Sequence, residues 1–149
     1  MGGWMGWVLG LVFMLTTASV FRNMHHTRDI YDAAYAVDTA RNFGIYASKA
    51  QAIFSQNPTY NGTLPQASLN LPTWYRPANG LTAFANAGHL FVYQPQPDAV
   101  TGGRVLKQIA ATGQIVGMCI GGTIYSTANV ALMAAPVGMP NLAVVVIVV

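Results

Sequence analysis

The side chains able to do chemistry are few in this sequence, and their spacing does not gather them into one centre. His25 and His26 are adjacent, so on a helix they point about 100° apart and chelate poorly, and His89 lies far along the chain. Cys119 is the single cysteine, which excludes an intramolecular disulfide. It sits between Met118 and Ile120 with no basic neighbour, the setting of a buried apolar thiol and not of an activated nucleophile. A dyad with His89 would lack the third group that orients the base. The pairs Gly102-Gly103 and Gly121-Gly122 lack the lysine and hydroxyl residue that complete a phosphate-cradling loop, and read as turn glycines. Asn61-Gly62-Thr63 fits a glycosylation triplet, a frequent pattern that matters only in a eukaryotic secretory setting. Asp29 and Asp32 share a helix face, where favourable interaction with the helix dipole explains them. The expectation is a protein without catalytic residues, metal, cofactor or small-molecule substrate.

Composition points the same way. Charged residues make up 7% of the 149 positions, against roughly 25% in an ordinary soluble domain, and there is no Glu. Hydrophobic residues reach 53% and aromatics 11%, enough to bury a core and exclude disorder. The net charge of +3 comes from seven basic residues scattered between Arg22 and Lys107, with no patch of the kind nucleic acid requires.

What remains to be explained is the opening stretch. From Gly3 to Phe21 the chain runs nineteen residues without a charge. As a helix this stretch would span about 28 Å, close to the roughly 30 Å of a bilayer core. Trp4 and Trp7 mark one boundary, Leu11, Phe13 and Phe21 continue the apolar run, and Arg22, His25, His26 and Arg28 form a collar at the other end. The expectation is an uncleaved single-pass anchor. A cleaved secretory signal is the alternative, disfavoured by the length of the apolar run and the absence of a basic start. Counting positive charges alone would put the large domain in the cytoplasm.

Beyond the span, Ile30, Ala33, Val37, Ala40, Gly44, Ala47 and Ala50 recur at helical spacing, with Ile53 and Phe54 closing the pattern. This predicts a helix from about Asp29 to Ser55, with Asp29 and Asp32 in its first turn and Lys49 in its last, ended by Asn57-Pro58. Its small-residue stripe either docks against partner helices or lies on the domain's own sheet, and the need of a mid-sized domain for a core favours the second. The proline-rich stretch from Asn57 to Asn79 reads as an ordered loop threaded by Leu64, Leu69, Leu71, Trp74 and Tyr75. Trp74 and Tyr75 are either a carbohydrate or peptide platform or the rim of the core, and amphipathic aromatics favour the rim.

The back half predicts a strand over His89 to Tyr93, a short helix with Val105, Leu106, Ile109 and Ala110 behind Gly102-Gly103, and a hairpin from Gln114 to Ser126 turning at Gly121-Gly122. Pro136 and Pro140 bracket a loop. Leu142 to Val149 is wholly apolar and too short to cross a bilayer, so it must lie inside a sheet and should be a main holder of the fold. The expected fold class is α+β: an N-terminal transmembrane helix continuing into an amphipathic helix, then a small mixed or antiparallel sheet with one short helix. The expected division is 1–22 membrane anchor, 23–56 juxtamembrane and amphipathic helix, and 57–149 globular remainder packed with that helix.

This ordered series resembles the small membrane-anchored PilM proteins of type IVB pilus systems, encoded with the thin pili of conjugative plasmids. The resemblance runs through the N-terminal span, Asn57-Pro58, Gly62, Leu64, Leu69, Leu71-Pro72-Thr73-Trp74-Tyr75 and Gly80-Leu81. It continues through Val92-Tyr93, Leu106, Val116-Gly117, Gly122, Ser126, Pro136, Pro140 and the valine-rich end. It implies a bacterial inner-membrane protein of pilus biogenesis, its domain in the periplasm, binding other pilus-assembly proteins and open to self-association, with no catalytic residues to carry over. Candidate contacts are Ala40, Gly44 and Ala47 on the helix, and Trp74 and Tyr75. Two alternatives are a minor pilin or pseudopilin, disfavoured by the absence of Glu and of leader charge, and a secreted enzyme released from a cleaved signal.

Overall fold

With no Gly or Pro between Gly10 and Gly44, nothing in the sequence breaks a helix there. In the computed structural model, which describes residues 3–148 and side chains at Met14, Arg22, Met24 and from Thr27 to Val148, one helix, α1, accordingly runs from Gly3 to Phe54. The chain divides into two compact units, one up to Tyr35 and one from Ala36 onward. The first is helical, and its described apolar side chains Met14, Met24, Ile30, Tyr31 and Tyr35 are exposed. Among the described residues no helix is long and apolar enough to cross a membrane. Gly3, Trp4, Trp7, Leu11, Phe13 and Phe21, read above as a span, have side chains outside the described set.

Two expectations about this helix need correction. Asp29 and Asp32 do not lie in a first turn, nor Lys49 in a last one, because the helix starts 26 residues before Asp29 and ends at Phe54; the macrodipole acts within the terminal turns and is not their explanation. The expected stripe also turns inward only in its later part, where Ala47, Ala50 and Phe54 are buried and Ala40, Gly44 and Ile53 half-buried. Ile30, Ala33 and Val37 are exposed, whereas Ala36, Phe43, Tyr46, Ala47, Ala50 and Phe54 are buried. The small-residue spacing overlooked Phe43 and Tyr46, and large aromatics decide which face turns inward because they bury the most area.

The second unit is a seven-stranded antiparallel sheet with the helical residues from Ala36 and a second helix on one face. Its strands are β1 (Gly62–Thr63), β2 (Thr82–Asn86), β3 (His89–Pro95), β4 (Ile115–Ile120), β5 (Thr123–Tyr125), β6 (Ala131–Ala134) and β7 (Ala143–Val148), and α2 spans Ala99–Ala110. The spatial order is β1-β2-β3-β7-β4-β5-β6. The last strand is therefore in the middle, with Val146 opposite both Val92 of β3 and Val116 of β4. Val144, Val145 and Val146 are all but inaccessible, the burial on both faces expected for a terminus made of β-branched residues.

The hairpin at Gly121-Gly122 forms as expected, and α2 begins at Ala99, ahead of Gly102-Gly103. Its start is fixed by Asp98, whose carboxylate accepts from the Thr101 N–H at 2.8 Å and from the Thr101 hydroxyl at 2.9 Å. Those hydrogen bonds hold the Asp98 carboxyl below its ordinary pKa. β2 and β6 lie where no strand was expected, since both are rich in alanine, a weak strand former. The loop from Asn57 holds only β1 and a 3-10 turn at Gln66–Leu69 before β2, as its prolines require.

Candidate functional site

Asn42, a poor helix former in mid-helix, fastens the Pro-rich loop to α1. Its Nδ2 donates to the Arg76 carbonyl at 2.9 Å, and its Oδ1 accepts from the Ala78 N–H at 3.2 Å. The Tyr75 hydroxyl donates to the Asn42 carbonyl at 2.9 Å and also lies in hydrogen-bond contact with Asn42 Oδ1. Tyr75 is buried, and desolvation, reinforced by Tyr46, pushes its pKa up to about 12. Burial also raises Tyr46. Both phenols stay neutral at physiological pH, and the Tyr75 proton remains available for the bond to α1.

This clamp holds Trp74 outward. Its ring meets Tyr75 edge-on, centroids 6.3 Å apart and planes at 76°, yet it remains 69% exposed. Together Asp38, Arg41, Asn42 and Ile45 of α1 and Trp74, Tyr75 and Arg76 of the loop line a groove of about 360 Å³. Neither guanidinium, nor the Asp38 carboxylate, has an ion-pair or hydrogen-bond partner among the described residues. The groove contains charge, a π-face and hydrogen-bonding groups, but no nucleophile beside a base.

The other expected site residues are dispersed. Ala47 is 1% exposed within the domain's own core, Ala40 packs against that core, and Gly44 is half-buried with open space where a Cβ would stand. The stripe thus serves mainly the intramolecular contact. Trp74 and Tyr75 separate into an exposed and a buried partner, so the rim description fits Tyr75 alone. Cys119 is buried beside Phe91 and Ile124, while His89 stacks edge-on against Phe91 at 6.3 Å with its Nδ1 buried and unpaired. No hydrogen bond joins Cys119 and His89 among the described residues. Among those residues no cluster of three or more potential metal ligands occurs. The Asn61 side chain accepts from the Ala87 N–H at 3.1 Å and so ties the triplet to the β2–β3 turn. Sequence reasoning missed Asn42, Arg41 and Arg76; the only signal was a poor helix former next to a buried aromatic, Phe43.

The architecture is that of a small α+β domain, an antiparallel sheet with helices on one face. The profile of the PilM family matches residues 11–147, and the chain belongs to that family. Among solved structures it is similar to a protein described as PilM from Escherichia coli B7A, with 18% identity and a TM-score of 0.59 over 77% of this chain and 92% of that one, a likeness of fold. A protein described as PilM from Pseudomonas aeruginosa 2192 matches at 26% identity and a TM-score of 0.43, over 74% of this chain and 92% of that one. No curated protein sequence matches.

Proposed function

We propose that this protein is a non-catalytic component of a type IVB pilus assembly machinery, of the kind that builds thin conjugative pili. It is held at the bacterial inner membrane by residues 1–22 and binds other assembly proteins through a periplasmic domain. Membership of the PilM family over residues 11–147 is the observation that carries this reading. The uncharged run from Gly3 to Phe21, with a helical backbone, supports a single-pass anchor. The rigidly presented Trp74, with Tyr75 beneath it, supports a docking role, since exposed tryptophan on a fixed loop is the residue type on which binding energy concentrates. Three results are expected. Deleting the protein abolishes pili. The full chain needs detergent to leave the membrane. A reporter fused after Val149 is active on the periplasmic side. Normal piliation without the protein would defeat the assembly role, an aqueous-soluble full chain would defeat the anchor, and a cytoplasmic reporter signal would reverse the orientation.

A further inference from the structure

Resting on the docking reading, we infer that the groove between α1 and the Trp74 loop takes an acidic segment of a partner protein. Such a segment would place a carboxylate between Arg41 and Arg76 and an apolar side chain on the Trp74 ring. Three features of the groove lead there. Arg41 and Arg76 outnumber Asp38, so the lining is net positive, and neither guanidinium is occupied by an ion pair among the described residues. A guanidinium matches a carboxylate with two parallel hydrogen bonds, and an unoccupied pair of them is a ready acceptor for acidic side chains. Trp74, exposed in the same groove and set edge-on against Tyr75, offers an apolar surface at low entropic cost. The Asn42 clamp fixes the loop backbone from Tyr75 to Ala78, so the groove is formed before anything binds.

Other occupants fit less well. A nucleic-acid strand needs a run of phosphate-binding cations, and here two arginines are accompanied by an aspartate. An anionic lipid surface would favour a broader basic cluster than this chain carries. Asp38 has a use in the peptide reading: it disfavours a segment of unbroken negative charge and selects one whose acidic residues are interrupted by an apolar or basic residue. The remaining titratable group of the groove, Tyr75, is neutral and directed at α1.

The test uses the full-length chain in its host cell. A photo-crosslinking amino acid replaces Thr73, which is exposed and adjacent to the groove, leaving Trp74, Arg41 and Arg76 in place. The same amino acid at Gln108, exposed on α2, is the control. The expected result is a protein adduct at Thr73 whose crosslinked peptide, read by mass spectrometry, contains Asp or Glu within a few residues of the attachment point. The combined Arg41→Glu and Arg76→Glu variant should reduce the adduct at least tenfold, and reversing the partner's acidic residues to Arg should restore it. Both substituted side chains lie outside the Asn42 clamp, which engages only the backbone of residue 76, so circular dichroism and thermal midpoint should be unchanged. Four outcomes overturn the inference: an adduct to a neutral or basic segment, an adduct to lipid or RNA, no adduct above the Gln108 control, or an adduct indifferent to charge reversal. None of these affects whether the protein is needed for pili or lies in the membrane, so failure here is distinct from failure of the assembly role.

Discussion

The two faces of the sheet are built on different principles. On one face, Leu90, Val92, Val116, Met118, Val144 and Val146 meet large residues from elements distant in sequence, among them Phe43, Tyr46, Leu69, Val105 and Ile109. On the other, Phe91, Cys119, Ile124, Ala143, Val145 and Ile147 form a smaller cluster, flanked by Met133 of β6 and by Ala135 and Met139 of the loop that follows it. The helix-covered face gains stability from the area it buries, whereas the opposite face depends on the close return of its own hairpin. A Cβ added to Gly117 would stand 2.4 Å from Ile124 Cγ2 and 2.7 Å from the Tyr125 carbonyl oxygen. Area should therefore govern mutations on the first face, and fit those on the second.

The largest effect is expected from emptying the helix-covered face. Phe43→Ala should cost about 3–5 kcal/mol, because a fully buried ring among residues fixed by several elements leaves a cavity that cannot close. Phe91→Ala on the opposite face should cost less, about 3 kcal/mol or below, since flexible Met133 and Met139 flank its cluster and can fill in. Chemical denaturation of the two variants measures the difference. Equal losses, or a greater loss at Phe91, would break the comparison.

Gly117→Ala tests fit directly. Part of the obstruction is backbone, so the hairpin must move, and a loss of about 1–3 kcal/mol is expected. Gly44→Ala is the matched control on the helical side: nothing lies within 4 Å of the added Cβ, and the change should stabilise α1 by about 0.5–1 kcal/mol. Opposite signs for the same added methyl are the expected outcome of paired thermal melts.

The sequence made the second face's glycine turn and the central position of the last strand legible, for reasons that are local. Gly121-Gly122 accepts positive φ, and a charge-free run of valines has no stable place outside a sheet. What it concealed was set by tertiary contact. The place of Phe43 and Tyr46 on the inward face of α1 depended on the core they join, and the continuity of the helix through Asp29 on the absence of a breaker. Of the groove, Trp74 and Tyr75 were visible as a motif, but their division into an exposed and a buried ring was not. That division comes from Asn42, 33 residues away from Tyr75, and no spacing rule connects the two.

Alkaline titration probes the same clamp with a smaller effect. The folded-state pKa of Tyr75 is about 12, above its ordinary value of 10.0. The native state therefore holds a proton that the unfolded chain has released, and stability must fall as pH rises from 10 toward 12. Below pH 10 the contribution is fully present. Tyr75→Phe should cost about 1 kcal/mol at neutral pH through the lost hydrogen bond to α1, and should flatten part of the alkaline fall seen by denaturation at successive pH values. An unchanged alkaline slope would mean that Tyr46, also raised by burial, carries the effect.

The smallest effect separates the two hairpins themselves. Gly121 and Gly122 turn at φ of 57° and 81°, and Ala87 and Gly88 turn at nearly the same angles, 50° and 79°. Both connections thus have the left-handed geometry that suits the twist of paired strands, but alanine pays for it sterically while glycine does not. The Asn61 side chain accepts the Ala87 N–H and offsets part of that cost. Replacing Ala87 by Asn, which tolerates positive φ, should stabilise the domain by about 0.5–1 kcal/mol with the sheet register unchanged. The Asn61 bond is made to the backbone N–H, which an asparagine at position 87 keeps, so Asn61→Ala should cost the same with either residue there and the two changes should add. A double-mutant cycle reads this, and a clear departure from additivity would mean that the introduced asparagine side chain itself engages Asn61 or displaces its bond.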